Sequence, residues 1–215
     1  MRSSKDYRNE ALNALSGNWA PSIIATVVAW VAVIVILLLT EAPMYLLPKI
    51  MLPCSAAAWV FELFFLYNFD LGFGNAFRKL LEDGDNAVTA NTFRIGFKPY
   101  WRNLWVYLLM TLKIFLWSLL LIIPGLVKAF SYAMTPYIIV ENPDMKAGEA
   151  IRRSSEMMKG HKLELLWLYL SFIGWMILSI LTIGIGFLWL IPYIQTAQAS
   201  FYEDLKRAEV EVPAA

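Results

Sequence analysis

Residues 165–194 run for thirty positions without a charged side chain. A helix crosses the hydrocarbon core of a bilayer in about 20 apolar residues. The stretch is therefore too long for one crossing and too apolar for a solvated surface. Gly184 and Gly186 stand near its middle, where a turn is needed. The spacing predicts two crossings, 163–181 and 185–201, joined by a tight turn. A buried hairpin in a large soluble protein is the alternative, and recurrence of the pattern elsewhere in the chain argues against it. Composition agrees. Hydrophobic residues make up 59% of the chain and charged ones 16%, against about 45–50% and 25% in soluble domains.

Four further apolar runs precede this pair. Residues 21–39 form the first apolar run and carry no charged side chain. A cleaved signal peptide would carry a core of only about 7–15 residues, so this run reads as a retained helix. Residues 40–53 hold Pro43, Pro48 and Pro53 and read as a loop with a short interfacial piece, because prolines this dense do not continue a helix. The second crossing, 46–67, is expected to break near Pro48 or Pro53. Residues 70–101 are polar, with a helix expected at 75–82. The third and fourth crossings, 104–123 and 126–140, turn at Pro124-Gly125, and Pro136 should kink the fourth. Amphipathic helices are expected on the membrane surface at 1–18, with Ala11, Leu12 and Leu15 on one face, and at 144–158. In the latter Ala147, Ala150, Ile151, Ser154, Met157 and Met158 form an apolar stripe expected to face the acyl boundary, with packing against other cytoplasmic segments as the competing reading. The expected fold is all-α: a polytopic membrane protein with six transmembrane helices in three hairpins, each preceded by a cytoplasmic amphipathic helix. One domain covers 1–207, and the tail 208–215 frays.

Charge distribution orients the chain. With three hairpins both termini share one side, and that side collects 15 of the 18 Lys and Arg residues. Lys49 and Lys128 fall at the other face, and Lys113 falls inside the third crossing. Basic residues favour cytoplasmic loops, so both termini are expected in the cytoplasm of a bacterial inner or plasma membrane. The single Cys54 excludes an internal disulfide. With His161 as the only histidine, a structural zinc site is not expected.

The octapeptide 75–82 and its counterpart 149–156 share the pattern Ala, apolar, Arg, basic, two residues, Glu. Thr135-Pro136-Tyr137-Ile138 echoes Ile191-Pro192-Tyr193-Ile194. Together they suggest a parallel internal repeat of surface helix plus hairpin, with chance similarity in a biased composition as the competing explanation. Glu149-Ala150-Ile151 with Ser154, Met158-Lys159-Gly160, Phe172-Ile173-Gly174-Trp175, Thr182 with Gly184-Ile185-Gly186, Pro192-Tyr193 and Phe201-Tyr202 resemble a bacterial family of uncharacterised integral membrane proteins, a domain of unknown function. The resemblance is sharp over 141–202 and looser before. More distantly the chain is similar to the membrane domain attached to some bacterial glycerophosphodiester phosphodiesterases, whose catalytic domain has no counterpart here. The resemblance implies a six-helix architecture and no established activity.

Charged residues within apolar segments are costly and mark candidate sites. Lys113 in the third crossing and Glu62 in the second differ in expected depth by about 8 Å. They are read as a structural ion pair, with two alternatives: Lys113 lining a polar cavity for an anionic ligand, or Glu62 reaching the interface. Pro136 and Pro192 free backbone carbonyls, as broken transporter helices do at ion sites. Lys146, Arg152, Arg153 and Lys159 are candidate headgroup contacts on a face that is otherwise simply solvated. His161 is placed at the interface, and Asp83 and Asp85 form a turn around Gly84. No phosphate loop, metal cluster or catalytic triad spacing is present in the sequence. The expected function is non-enzymatic: organising or sensing membrane lipids, anionic ones included, or scaffolding partners. A small transporter or permease with a site near Lys113 and Glu62 is the alternative, and a lipid-acting enzyme ranks third. No cofactor and no nucleic acid are expected, while protein partners or a second copy of the chain are left open.

Overall fold

The computed structural model describes residues 2–46 and 51–211, and all regular structure among them is helical. The helices follow in order as α1 (Ser4–Leu15), α2 (Trp19–Leu46), α3 (Met51–Asp83), α4 (Val88–Gly96), α5 (Tyr100–Leu120), α6 (Ile122–Tyr132), α7 (Thr135–Glu141), α8 (Ala147–Met157), α9 (Lys162–Leu170), α10 (Ile173–Leu181) and α11 (Phe187–Glu211). Of the two prolines at which a break was expected, Pro48 lies outside the described residues, as does the end of the tail, and Pro53 lies in the first turn of the unbroken α3.

Two expected loops are helix instead. α2 continues through Pro43 to Leu46; a proline in the last turn deletes only one backbone bond. α3 runs unbroken for 33 residues, so 75–82 is its end and not a separate surface helix. Its polar residues do not stop it, because the Asn68 and Asn75 amides donate back to the Phe64 and Leu71 carbonyls. Gly72 and Gly96 let α4 lie directly on α3: a Cβ at Gly72 would strike the Thr92 carbonyl oxygen and sit 2.8 Å from the Gly96 nitrogen. Phe65, Phe69, Phe73 and Phe77 follow one another at helical spacing along this seam. Phe93 of α4 and Phe97, which caps its C-terminus, pack against them. α4 itself was not anticipated. Its start is fixed by Asp85, which accepts from the Ala87 N–H and the Asn91 amide.

The molecule divides into two zones. At the end that carries the basic residues, α1, α4, α7, α8 and the facing parts of α3 and α11 enclose the core, with Tyr7, Phe77, Ile138, Ile151, Phe201 and Tyr202 fully buried. At the other end the helices thin out and expose apolar side chains in bulk. Ile122 is 84% and Ile183 95% exposed, and Leu112, Phe115, Leu126, Ile177, Leu181 and Trp189 are exposed with them. An apolar surface this continuous is far beyond what soluble monomers present. Three helical stretches, Trp19–Leu38, Ile122–Glu141 and Lys162–Leu181, are long and apolar enough to cross a membrane, which points to a membrane protein.

Both turns at the apolar end use the same device. A Cβ on Gly125 would overlap Ser118, and one on Gly186 would lie 2.8 Å from the Ser179 Cα. In each case a serine seven residues earlier packs against a bare glycine. Gly184, at φ +85°, turns α10 into α11. Pro136 does not kink a continuous helix. The chain breaks at Ala133-Met134, and Pro136 starts α7, the position where its missing N–H costs nothing. The break is stitched from outside: the Ser154 hydroxyl donates to the Ser131 carbonyl and accepts from the Met134 N–H.

Candidate functional site

α2, α3 and α11 leave a cleft of about 290 Å³ between them. Two of the helices that form it carry small polar residues that satisfy themselves. On α2 the Ser22 and Thr26 hydroxyls donate to carbonyls four residues back. On α11 Thr196 does the same to Pro192. Helices with such faces approach closely without leaving polar atoms stranded. Trp30, Val33, Leu66, Phe69, Phe73 and Ile191 make most of the lining apolar, and Asp70 and Gln195 interrupt it. Asp70 and Gln195 also line a smaller, polar recess of about 50 Å³ with Asn75, Tyr137 and Gln198. Gly74 makes room for that recess, since a Cβ there would lie 3.2 Å from the Gln195 side-chain oxygen. Asn75 closes one wall by donating to the Pro136 carbonyl at 3.0 Å.

Asp70 is the chemically distinctive group. It counts as exposed by surface area, yet the surface it exposes opens into these two recesses. Among the described residues, no hydrogen bond or ion pair reaches its carboxylate.

Two helical turns along the same face of α3 stands Arg78, 7% exposed. Its guanidinium meets Glu82 at 2.5 Å, Glu141 of α7 at 2.6 Å and Glu203 of α11 at 3.3 Å. Lys206 adds contacts to Glu141 at 2.6 Å and Glu203 at 3.6 Å. Tyr202 donates to Glu141 at 2.7 Å and stacks on Tyr137. The oxygens of Glu82, Glu141 and Glu203 approach within 4.8 Å of one another, as metal ligands do. Arg78 and Lys206 reach those same carboxylates, so the arrangement is a salt-bridge network that joins three helices. Burial, then the hydrogen bond with Glu82, pushes the Glu203 carboxyl up to about 7.

A second set of ties docks α1. Tyr7 donates to Asp204 at 2.7 Å, Arg8 to the Tyr193 hydroxyl at 3.3 Å, and Ser200 to Glu10 at 2.5 Å. Tyr7, Ala11 and Leu15 are buried, while Leu12 is exposed, so the apolar face of α1 is turned toward protein and not toward lipid.

The same correction applies to α8. Its stripe of Ala147, Ala150, Ile151, Ser154, Met157 and Met158 is buried against α5, α6 and α7, and so does not face the acyl boundary. The basic candidates lie on its outer side. Lys146, Arg152 and Lys159 are exposed and Arg153 half-buried. Arg152 pairs with Glu156 at 3.1 Å and Arg153 with Glu209 at 3.3 Å.

Glu62 is buried and Lys113 half-buried. Tyr67 of α3 stacks on Tyr107 of α5 at 3.9 Å. Counting from that pair at about 1.5 Å per residue, Glu62 lies five residues back and Lys113 six residues on. They stand at nearly one level, closer in depth than the sequence suggested. Lys128 lies over the Trp117 ring at 4.8 Å. His161 sits 3.1 Å from Glu164.

Asp70, Gln195, Gln198 and the Arg78 cluster were all missed from sequence. The available signal was the i, i+4, i+8 alignment of Asp70, Gly74 and Arg78, which only matters once α3 is known to continue past Tyr67.

Residues 119–209 match the model of a family described as "Protein of unknown function (DUF975)". The match runs from the end of α5 to the end of α11. It covers the segment in which the family resemblance is sharpest. No curated protein and no solved structure matches the chain. None of these comparisons supports the expected likeness to the phosphodiesterase membrane domain.

Proposed function

We propose that the chain is a multi-pass membrane protein without enzymatic activity. It holds an amphipathic, membrane-resident molecule in the cleft between α2, α3 and α11. In this reading six helices cross the bilayer in three hairpins, with both termini and the packed basic end in the cytoplasm. The observation that carries it is the cleft itself: apolar walls with a few convergent polar groups, the make-up of a ligand site, formed where the helices emerge from the packed zone. The positive-inside pattern supports the orientation. The shared Ser–Gly device at 118/125 and 179/186 supports a repeated hairpin, and the short helices α1, α4 and α8 that precede long apolar stretches support a repeated unit.

Native mass spectrometry of the full chain released from mixed-lipid nanodiscs tests the reading. Ala29 lines the cleft and is 9% exposed, so Ala29→Phe puts a ring into it. Wild type should carry a tightly retained amphiphile that this variant loses. Equal retention by both, at equal thermal stability, would rule the cleft out.

The transporter reading keeps one supporting observation, the level placement of Glu62 and Lys113 on facing helices. Substrate flux in proteoliposomes that disappears in Lys113→Met would favour it.

A further inference from the structure

We infer that the cleft selects an ammonium group carried on an apolar body; this rests on the cleft-binding reading above and names its ligand. The lone carboxylate of Asp70 fixes the sign of the charge. Burial pushes the Asp70 carboxyl above its ordinary range, and among the described residues nothing bonds to it, so a cation in the cleft is what would hold it ionised. Trp30, Phe69 and Phe73 line the same space, with the Phe69 and Phe73 rings 6.0 Å apart and nearly parallel. Aromatic faces attract cations within about 6 Å of the ring centroid, Trp most strongly. A carboxylate among aromatic rings matches an ammonium, primary or quaternary. Gln195 supplies a polar partner for an adjoining group. The rest of the lining, Leu66 and Ile191 among it, takes the apolar body.

Other ligand classes fit less well. An anion would meet the Asp70 charge, and the nearest cation on that face, Arg78, is already held by three carboxylates. A hard metal ion needs about six to eight oxygen ligands, and the aromatic walls provide none. The ammonium comes either from a lipid headgroup or from a free hydrophobic cation.

The test uses the full chain in nanodiscs containing equal phosphatidylethanolamine, phosphatidylcholine and phosphatidylglycerol, with retained lipids read by native mass spectrometry. A second arm measures saturation binding of radiolabelled decyltrimethylammonium. If a lipid is the source, wild type retains the two ammonium lipids over phosphatidylglycerol, and Asp70→Asn abolishes that preference. If a free cation is the source, retained lipid shows no headgroup preference but decyltrimethylammonium binds, and Asp70→Asn weakens it by about 10- to 100-fold, the range for losing a charged partner. Should Asp70→Asn fail to fold, Trp30→Leu carries the test, with a loss of about 3- to 30-fold expected. Unchanged preference and unchanged binding in a folded variant overturn the inference. The cleft reading then survives if retained lipid still responds to Ala29→Phe, and falls with the inference if it does not.

Discussion

Replacing Arg78 with Met keeps the length and apolar stem of the side chain and removes the buried cation of the three-helix network. In the wild type, two cations meet three carboxylates, and one of these, Glu203, is itself 6% exposed. In Arg78→Met only Lys206 remains, with its side chain 37% exposed. Removing one partner of a buried pair costs about 3–5 kcal/mol, because the remaining charge is left uncompensated. For a chain of this size each kcal/mol moves the midpoint by about 2–4 °C, so the melting temperature should fall by about 6–20 °C. Fluorescence-detected size exclusion after heating measures this directly. Adding Glu203→Gln removes one of the stranded charges and should recover part of the loss. The network also makes a pH prediction. The folded Glu203 carboxyl, at about 7, holds a proton that the unfolded chain releases near the ordinary glutamate value of 4.5. Its contribution to stability is therefore full below about pH 4.5 and is lost as pH rises to about 7. The stability difference between wild type and Glu203→Gln should move in favour of the variant across that window. A shift under 2 °C for Arg78→Met, or a difference flat with pH, would refute the network as a structural element.

Three further comparisons test separate parts. Gly72→Ala should cost about 1–3 kcal/mol, because the new methyl meets Thr92 and Gly96 backbone. Gly148→Ala, with open space around it, should be neutral or stabilising by up to about 1 kcal/mol; equal melting temperatures for the two would undo the close α3–α4 packing. Were Glu62 and Lys113 to form the expected ion pair, Lys113→Met would be more damaging than the double change with Glu62→Gln, read as yield and melting temperature, and equal values would rule the pair out. Reversing Arg152 and Arg153 to Glu should reduce retention of anionic lipid only weakly, since both already face carboxylates, and a large loss of lipid would show that the headgroup role was understated.

The apolar end was legible because it obeys one rule. Uncharged runs of fixed length, with glycine at the turns, announce themselves, and the turn at Gly184 and the paired approach at Gly186 fall where the sequence put them. The basic end was misread for a different reason. The polar stretch after Tyr67 looks like a loop, but Asn68 and Asn75 return hydrogen bonds to their own helix, and of the glycines that seem to be breakers Gly72 is a contact point for α4 and Gly74 makes room beside Gln195. The stripe of α8 and, apart from the exposed Leu12, that of α1 were correctly located but read as facing lipid. An amphipathic face reads the same in sequence whether it meets acyl chains or protein, and only the positions of α5, α6, α7 and α11 decide. Arg78, Glu82, Glu141 and Glu203 come from three distant segments, so no local spacing could have joined them. Asp70 was hidden by the same loop assignment.

The central claim is that the exposed apolar end lies in the bilayer and the packed basic end faces the cytoplasm. Single-cysteine labelling decides it. In a Cys54→Ser background, Ile183→Cys marks the turn between α10 and α11, 95% exposed, and Glu156→Cys marks the outer side of α8. A membrane-impermeant maleimide applied to intact cells should label the first and spare the second, and inverted vesicles should give the opposite result. Labelling of both positions from one side would contradict the orientation and the hairpin count together.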